Sequence, residues 1–303
     1  MVAALKLAIT GGTGFVGQRV IDLALAQGHQ VRALTRRPQP PRDEVTWIEG
    51  ALDRPDSLAE LVTGANAVIH VAGVVNAAEA ARFEAGNVLG TGAILLAAEQ
   101  AGIPRFVHVS SLAAREPQLS MYGASKSRSE ALVTASSLST AIVRPPAVYG
   151  PGDREMLEMF KMASRGFVLL PPSGRLSLIH VDDLASLLLG LATSTETGII
   201  EPDDGRAGGW THREFGTALG IAVGRRVRTV SMPRLILAAA ARADRLARGT
   251  KARLTPDRAS YFSHPDWVAD PARAPISWHA AIPTPKGLTD TAAWYRSRGW
   301  MKN

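Results

Sequence analysis

The chain of 303 residues contains no cysteine, which removes disulfides, thiolate-ligated metals and cysteine nucleophiles together. It also lacks any apolar run approaching the roughly 18 residues that would cross a bilayer. No charged region precedes the apolar residues of MVAALKLAIT, so the start of the chain reads as a first strand rather than a signal peptide, and a cytoplasmic location is the expectation. No set of histidines and carboxylates has metal-ligand spacing, so no metal is expected. Internal repeats and low-complexity tracts are missing too. What the chain does have is 46% hydrophobic residues, enough for a full core in one large or two modest domains.

Positive charge is in excess, with a formal net charge of +7, but it is local. Between residues 225 and 258 lie Arg225, Arg226, Arg228, Arg234, Arg242, Arg245, Arg248, Lys251, Arg253 and Arg258, opposed only by Asp244 and Asp257. The rest of the chain is close to neutral. Aromatic residues join this segment only at its far end, as Tyr261 and Phe262, so nucleic acid is not expected as a partner.

Short apolar runs alternate with helical patterns through the first half, the signature of a parallel sheet covered by helices. Strands are expected at Leu5–Thr10, Val31–Thr35, Val45–Glu49, Val68–Val71, Phe106–Val109 and Ala141–Arg144. Helices are expected at Phe15–Gln27, Asp56–Val62, Ala78–Ala101 and Tyr122–Ser136. These six strands with right-handed crossovers give a doubly wound α/β Rossmann sheet. After Pro145 the connections turn rich in proline and glycine, as in RPPAVYGPGD and EPDDGRAGGW. The division expected is a dinucleotide-binding domain over 1–170 and a smaller, mixed substrate domain over 171–303. A helix at Val181–Ala192 would bring about 176–200 back to the first domain.

The stretch AITGGTGFVG, Ala8 to Gly17, is a strand feeding a glycine-rich turn into a helix. Gly11 permits the tight turn, Gly14 lets backbone amides approach a phosphate, and Gly17 lets the helix lie close to the strand. An anion then sits at a helix N-terminus. The second strand ends in LTRRP, with Arg36 and Arg37 where a carboxylate would favour NAD and with no acid before Asp43. A guanidinium matches the 2′-phosphate of NADP in shape and charge. NADP(H) is therefore the preferred cofactor, with NAD(H) left open.

Tyr122 and Lys126, in YGASK, stand four residues apart on one helix face. An ammonium beside the phenol, with the charge of an oxidised nicotinamide, is expected to bring the tyrosine pKa down from about 10 toward neutrality. Tyr122 could then act as general acid or base on a carbonyl or alcohol oxygen. A serine at the end of the fifth strand, Ser110 or Ser111, would hydrogen-bond that same oxygen.

TGGTGFVG, HVSS, YGASK, RPPAVYGPGD and HVDDLA, in this order and spacing, resemble the extended short-chain dehydrogenase/reductase family, also called the epimerase/dehydratase family. The resemblance covers nearly the whole chain. It implies a catalytic set of Ser111, Tyr122 and Lys126, with Lys126 also bonding the nicotinamide ribose. It implies that Gly11, Gly14 and Gly17 hold the pyrophosphate with Thr13 and the amides of Phe15 and Val16. Ala72 and Gly73 would line the cofactor phosphates and ribose, and Pro145 to Val148 the nicotinamide pocket. Two departures stand out. Gly50 is followed by Ala51 rather than the aspartate that bonds adenine in many members, leaving Leu52 as the backbone contact. LAAREPQLSMYG lacks the acidic pair of the dehydratases, which weighs against sugar-nucleotide dehydration.

These residues point to an oxidoreductase moving a hydride to or from a carbonyl or secondary alcohol of a small-molecule substrate. A transient-oxidation epimerase uses the same groups. A non-catalytic NADPH-binding accessory or sensor protein is the reading from another class, since the resemblance extends to complex I accessory subunits. His180, beside Asp182 and Asp183, is expected to be structural, with one aspartate capping the next helix. In 232–248, Met232, Leu235, Ile236, Ala239, Ala243 and Leu246 form a stripe expected to pack inward, with Arg234, Arg245 and Arg248 toward water. A weak peripheral membrane contact, an anionic substrate and a homodimer are the partner readings left open.

Overall fold

A computed structural model describes residues 4–249, 252 and 254–302; Lys251 and Arg253 of the basic segment lie outside the described residues. The chain runs β1 (Lys6–Thr10), α1 (Phe15–Ala26), β2 (Gln30–Thr35), β3 (Val45–Glu49), α2 (Pro55–Val62), β4 (Ala67–His70), α3 (Ala80–Phe83), α4 (Gly90–Gln100), β5 (Arg105–Val109), α5 (Met121–Ala135) and β6 (Ser139–Val143). It continues through β7 (Ala147–Tyr149), α6 (Leu157–Ser164), β8 (Phe167–Leu170), β9 (Arg175–Leu176), β10 (Leu178–His180), α7 (Val181–Thr193) and β11 (Gly198–Ile200). The last elements are β12 (Trp210–Thr211), α8 (His212–Ala222), β13 (Arg228–Ser231), α9 (Arg234–Arg248), α10 (Pro256–Phe262), β14 (Asp266–Trp267) and α11 (Thr284–Ser297).

Two compact units divide these elements. The first comprises Met1–Arg144 with Leu184–Ile200, and the second Pro145–Asp183 with Glu201–Asn303. In the first, a parallel sheet has the order β11-β6-β5-β4-β1-β2-β3. The chain thus reverses direction across the sheet between β1 and β4, the crevice where dinucleotides bind in such sheets. There are seven strands rather than six. The added one, β11, pairs with β6 in parallel from Gly198↔Ala141 to Ile200↔Val143, and three residues are too short to stand out in a sequence.

The strands are buried on both faces, which is why they read as continuous apolar runs. One face packs Ala8, Leu34, Val68, Phe106 and Ile142 against α2 and α4 through Leu58, Leu61, Ile94 and Ala98. On α1, Gly17, Val20, Ile21 and Ala24 form the buried stripe at the three- and four-residue spacing of a helix. Buried Arg105 ties the late segment to the sheet, donating to Leu191 O at 2.8 Å, to Ser139 Oγ at 3.1 Å and to Glu196 O. The expected single helix over Ala78–Ala101 is instead α3, a wider π-helical turn at Glu84–Leu89, and α4. The turn widens where the Asn87 side chain engages Val74 rather than solvent.

In the second unit, Tyr149, Phe160, Leu178, Phe215, Leu288 and Tyr295 build the core. Short ladders surround it: β7 with β10, β8 with β13, and β9 between β12 and β14. The division falls at Arg144–Pro145 rather than at 170 because β7, α6 and β8 contribute to this core and these ladders. His180 is buried edge-on against Tyr149, with ring centroids 5.3 Å apart. Asp183 accepts hydrogen bonds from the amides of Ala281 and Ile282 at 3.0 and 3.1 Å. The expectation for the basic segment is corrected. Toward the protein, α9 turns Leu237 and Ala241, packed with Ala259 of α10, while Leu235, Ile236, Ala239, Ala243 and Leu246 are exposed. Periodicity finds an apolar stripe but cannot say which side the protein lies on.

Two stability measurements follow from the first unit. Arg105→Met would leave two carbonyls and a hydroxyl unpaired and should cost about 2–4 kcal/mol in urea unfolding; an unchanged midpoint would contradict this anchoring. His70 and His108 are buried and stacked, with centroids 5.4 Å apart. Burial, reinforced by the Lys126 charge, drives the His70 pKa down to about 3 and that of His108 well below its ordinary value. Both fold as neutral rings, so their contribution is present above the unfolded value near pH 6.5 and is lost as pH falls from there toward the folded values. Between pH 7 and 5 the loss should be about 2 kcal/mol for His70, with His108 adding a loss of the same sign, and His108→Leu should flatten the profile.

Candidate active site

The glycine turn is shaped by what cannot fit in it. Gly11 has φ +73°, and a Cβ there would lie 2.6 Å from Ala72 N. A Cβ on Gly17 would fall 2.1 Å from Gly11 O, so only glycine lets α1 start this close to β1. The N-terminus of α1 follows Gly14, with no side-chain cap and no acid in its first turn. Its leading amides, among them those of Phe15 and Val16, lack the usual side-chain acceptor and suit an anion. Thr13 is exposed, and its carbonyl accepts from Gln18 Nε2. The cradle therefore fits a dinucleotide pyrophosphate.

The neighbouring loop is pinned to the same strand. The amides of Val71 and Ala72 donate to Thr10 O and Thr10 Oγ1, both at 3.2 Å, and Thr10 Oγ1 contacts His70 Nδ1 at 2.6 Å. At the end of β2, Arg36 and Arg37 are exposed, and neither guanidinium has a partner among the described residues. Leu52 is half-buried against the core that includes Ile94. Pro145 and Val148 belong to the second unit, Val148 pairing with Ile179.

Ser111, Tyr122 and Lys126 all lie in the first unit, Ser111 just after β5 and the other two one turn apart on α5. Ser111 leaves β5 in extended conformation and its Oγ accepts from Ala113 N at 3.2 Å, starting a short 3₁₀ turn. Ser120 caps α5 by accepting from Gly123 N at 2.9 Å, which places Tyr122 in the first turn. The Ser111 hydroxyl hydrogen-bonds the Tyr122 phenol. Adjacent Ser110 is turned elsewhere, donating to Glu130 Oε1 at 2.5 Å, while Arg144 donates to Glu130 through Nε at 2.9 Å and Nη2 at 2.6 Å. Buried Lys126 donates from Nζ to Val109 O at 2.7 Å.

Electrostatics differ from the sequence expectation. Burial pulls the Lys126 pKa down to about 8, opposed by the Glu130 charge. Burial pushes the Tyr122 phenol above its ordinary value, opposed only by the Ser111 hydrogen bond. In the protein alone Tyr122 thus holds its proton firmly, because desolvation of the phenolate outweighs any help from Lys126.

Sequence reasoning missed Asn87. Its Oδ1 accepts from Val74 N at 2.6 Å, and its Nδ2 donates to Val74 O at 2.9 Å and Ser125 Oγ at 2.8 Å. Ser125 Oγ in turn donates to Tyr122 O. One amide thereby fastens the loop after β4 to the helix carrying Tyr122 and Lys126. A polar asparagine flanked by glycines in EAGNVLG was the available signal, since asparagine is a poor interior helix former and π-helical turns cluster at functional sites.

A model of the NAD dependent epimerase/dehydratase family matches residues 7–201. A ceramide reductase of Caulobacter vibrioides is 39% identical over 311 residues, covering 97% of this chain and 96% of the relative. A 2-alkyl-3-oxoalkanoate reductase of Stenotrophomonas maltophilia is 30% identical over 213 residues, covering 60% of this chain and 63% of the relative. The solved structure of WbmG from Bordetella bronchiseptica, in complex with NAD, shares the fold with a TM-score of 0.74 at 20% identity, covering 99% and 96% of the two chains. The chain belongs to the NAD dependent epimerase/dehydratase family. It is an enzyme with a nicotinamide dinucleotide dependence. Among the described residues, no helix is long and apolar enough to cross a membrane.

Gly17→Ala should lower dinucleotide affinity at least about tenfold in titration calorimetry. Gly190→Ala, where a Cβ meets nothing within 4 Å, is the control and should bind as the parent does; equal affinity in both variants would contradict the cradle.

Proposed function

We propose that this protein is an NADP(H)-dependent reductase of a ketone carried on a ceramide-type lipid. The relative covering 97% of the chain at 39% identity is a ceramide reductase, and this is the observation that carries the substrate class. The direction of reaction is supported by Tyr122, which burial keeps protonated and so poised to donate rather than accept. A cytoplasmic location goes with the reading, as does a small-molecule substrate. No second copy is required for the chemistry, because Ser111, Tyr122 and Lys126 come from one chain.

Gly11, Gly14 and Gly17, with the turn at Thr13 and the amides of Phe15 and Val16, would hold the pyrophosphate, and Arg36 and Arg37 the 2′-phosphate. Ala72, Gly73 and Leu52 would line the nucleotide, with Lys126 on the ribose. When bound, the dinucleotide supplies the hydride. Ser111 Oγ orients the carbonyl oxygen, and Tyr122 Oη donates its proton to that oxygen as negative charge develops there. Lys126, fixed by Val109 O, places positive charge beneath the site. Buried Asn87 holds the loop at Ala72–Val74 against α5, which keeps the two halves of the site in register.

The test is NADPH oxidation with a ceramide-type ketone, using two variants. Tyr122→Phe should lower kcat by a factor on the order of a hundred or more with NADPH affinity unchanged; full activity would overturn the mechanism. Arg36→Ala should weaken NADPH binding about tenfold while leaving NADH alone; tighter binding of NADH by the parent protein would overturn the cofactor preference. Tight NADPH binding with no turnover of any ketone would instead favour the accessory or sensor reading.

A further inference from the structure

Helix α9 sits on the second unit as part of a two-helix appendage with its own small core. Leu237, Ala241 and Ala259 are buried there, with Met232, Leu254 and Phe262 packed beside them. Arg234 Nη2 ties α9 to the end of α10 by donating to Ser263 O at 3.0 Å, and Arg258 Nη2 meets Glu155 Oε2 outside the pair at 2.7 Å. The opposite face of α9 is more apolar than the buried one. Leu235, Ile236 and Leu246 are 84%, 57% and 89% exposed, with Ala239 and Ala243 between them.

Charge rims this face. From 225 to 249 the chain carries seven arginines and one carboxylate, Asp244, and Asp244 is paired with Arg248 Nε at 3.1 Å. Arg242 and Arg245 are exposed on α9 itself, and Arg225, Arg226 and Arg228 lie immediately upstream. Strand β13, which leads into α9, repeats the pattern. Arg228 pairs with Phe167 and Val230 with Leu169, and all four are exposed.

We infer that α9 docks on the surface of an anionic lipid bilayer, lying in the plane of the interface. Leucines and an isoleucine on a helix with basic flanks are what such a surface rewards: apolar side chains enter the headgroup boundary while guanidinium groups reach back to the phosphates. A nucleic acid would match the arginines but leave the leucines in water. A second copy of this chain would cover the leucines but bring seven arginines against seven. The inference stands on α9 and β13 alone and does not depend on the proposed ketone.

The test is flotation of the full chain with phosphatidylcholine vesicles, with and without phosphatidylglycerol. The protein should float only with the anionic vesicles, and less as salt rises. Leu235→Ser/Leu246→Ser and Arg242→Gln/Arg245→Gln should each weaken binding about tenfold or more. Both variants should keep the parent's Tm and NADPH affinity, since all four positions are exposed. Absence of flotation, equal flotation with neutral vesicles, or equal binding by the variants would overturn the proposal. So would loss of a dimer in the leucine variant, or binding abolished by nuclease.

Discussion

The site depends on burying an ammonium. Lys126 is buried at the end of β5, held by one strong hydrogen bond to Val109 O. An isolated buried charge is expensive, and its cost is visible in its neighbours. It adds to the effect of burial, the larger cause, in lowering the basicity of His70 and His108 and is itself drawn toward neutrality by burial, with Glu130 supplying the counter-charge one turn along α5. Glu130 is in turn held by Ser110 and Arg144. The serine pair therefore divides its duties: Ser110 serves the ion network, and Ser111 faces Tyr122.

Around this charge, the loop after β4 is held by backbone amides and short polar side chains. Thr10 gathers His70 and the amides of Val71 and Ala72. Asn87 gathers Val74 and Ser125. The two sets fix the loop after β4 from opposite sides, where it passes the glycine turn within van der Waals contact. Short polar groups with few rotamers lose little entropy when ordered, and they hold positions that chemistry at a nicotinamide needs within a fraction of an ångström.

Much of this was legible in the sequence, for physical reasons that differ from place to place. The strands could be read because parallel strands are apolar on both faces, and the glycine turn because each glycine answers a steric demand. Tyr122 and Lys126 were legible as an i, i+4 pair. Asn87 was not, because its role depends on a π-helical turn and on a partner, Val74, that only the fold brings near. The upward push of burial on the Tyr122 phenol was not legible, because a sequence shows charge neighbours but not desolvation. The stripe on α9 was found, yet its direction was not: Leu237 and Ala241 suffice to anchor the helix, and the larger face turns out.

The central claim is that these residues reduce a carbonyl with net consumption of the cofactor. The measurement that tests it most directly uses NADPH deuterated at the transferred position of C4, with a ceramide-type ketone as substrate and mass spectrometry of the product. The account predicts one deuterium on the new carbinol carbon for each NADPH oxidised. A substrate recovered with inverted configuration and no net cofactor oxidation would contradict it, and so would cofactor oxidation without deuterium in the product.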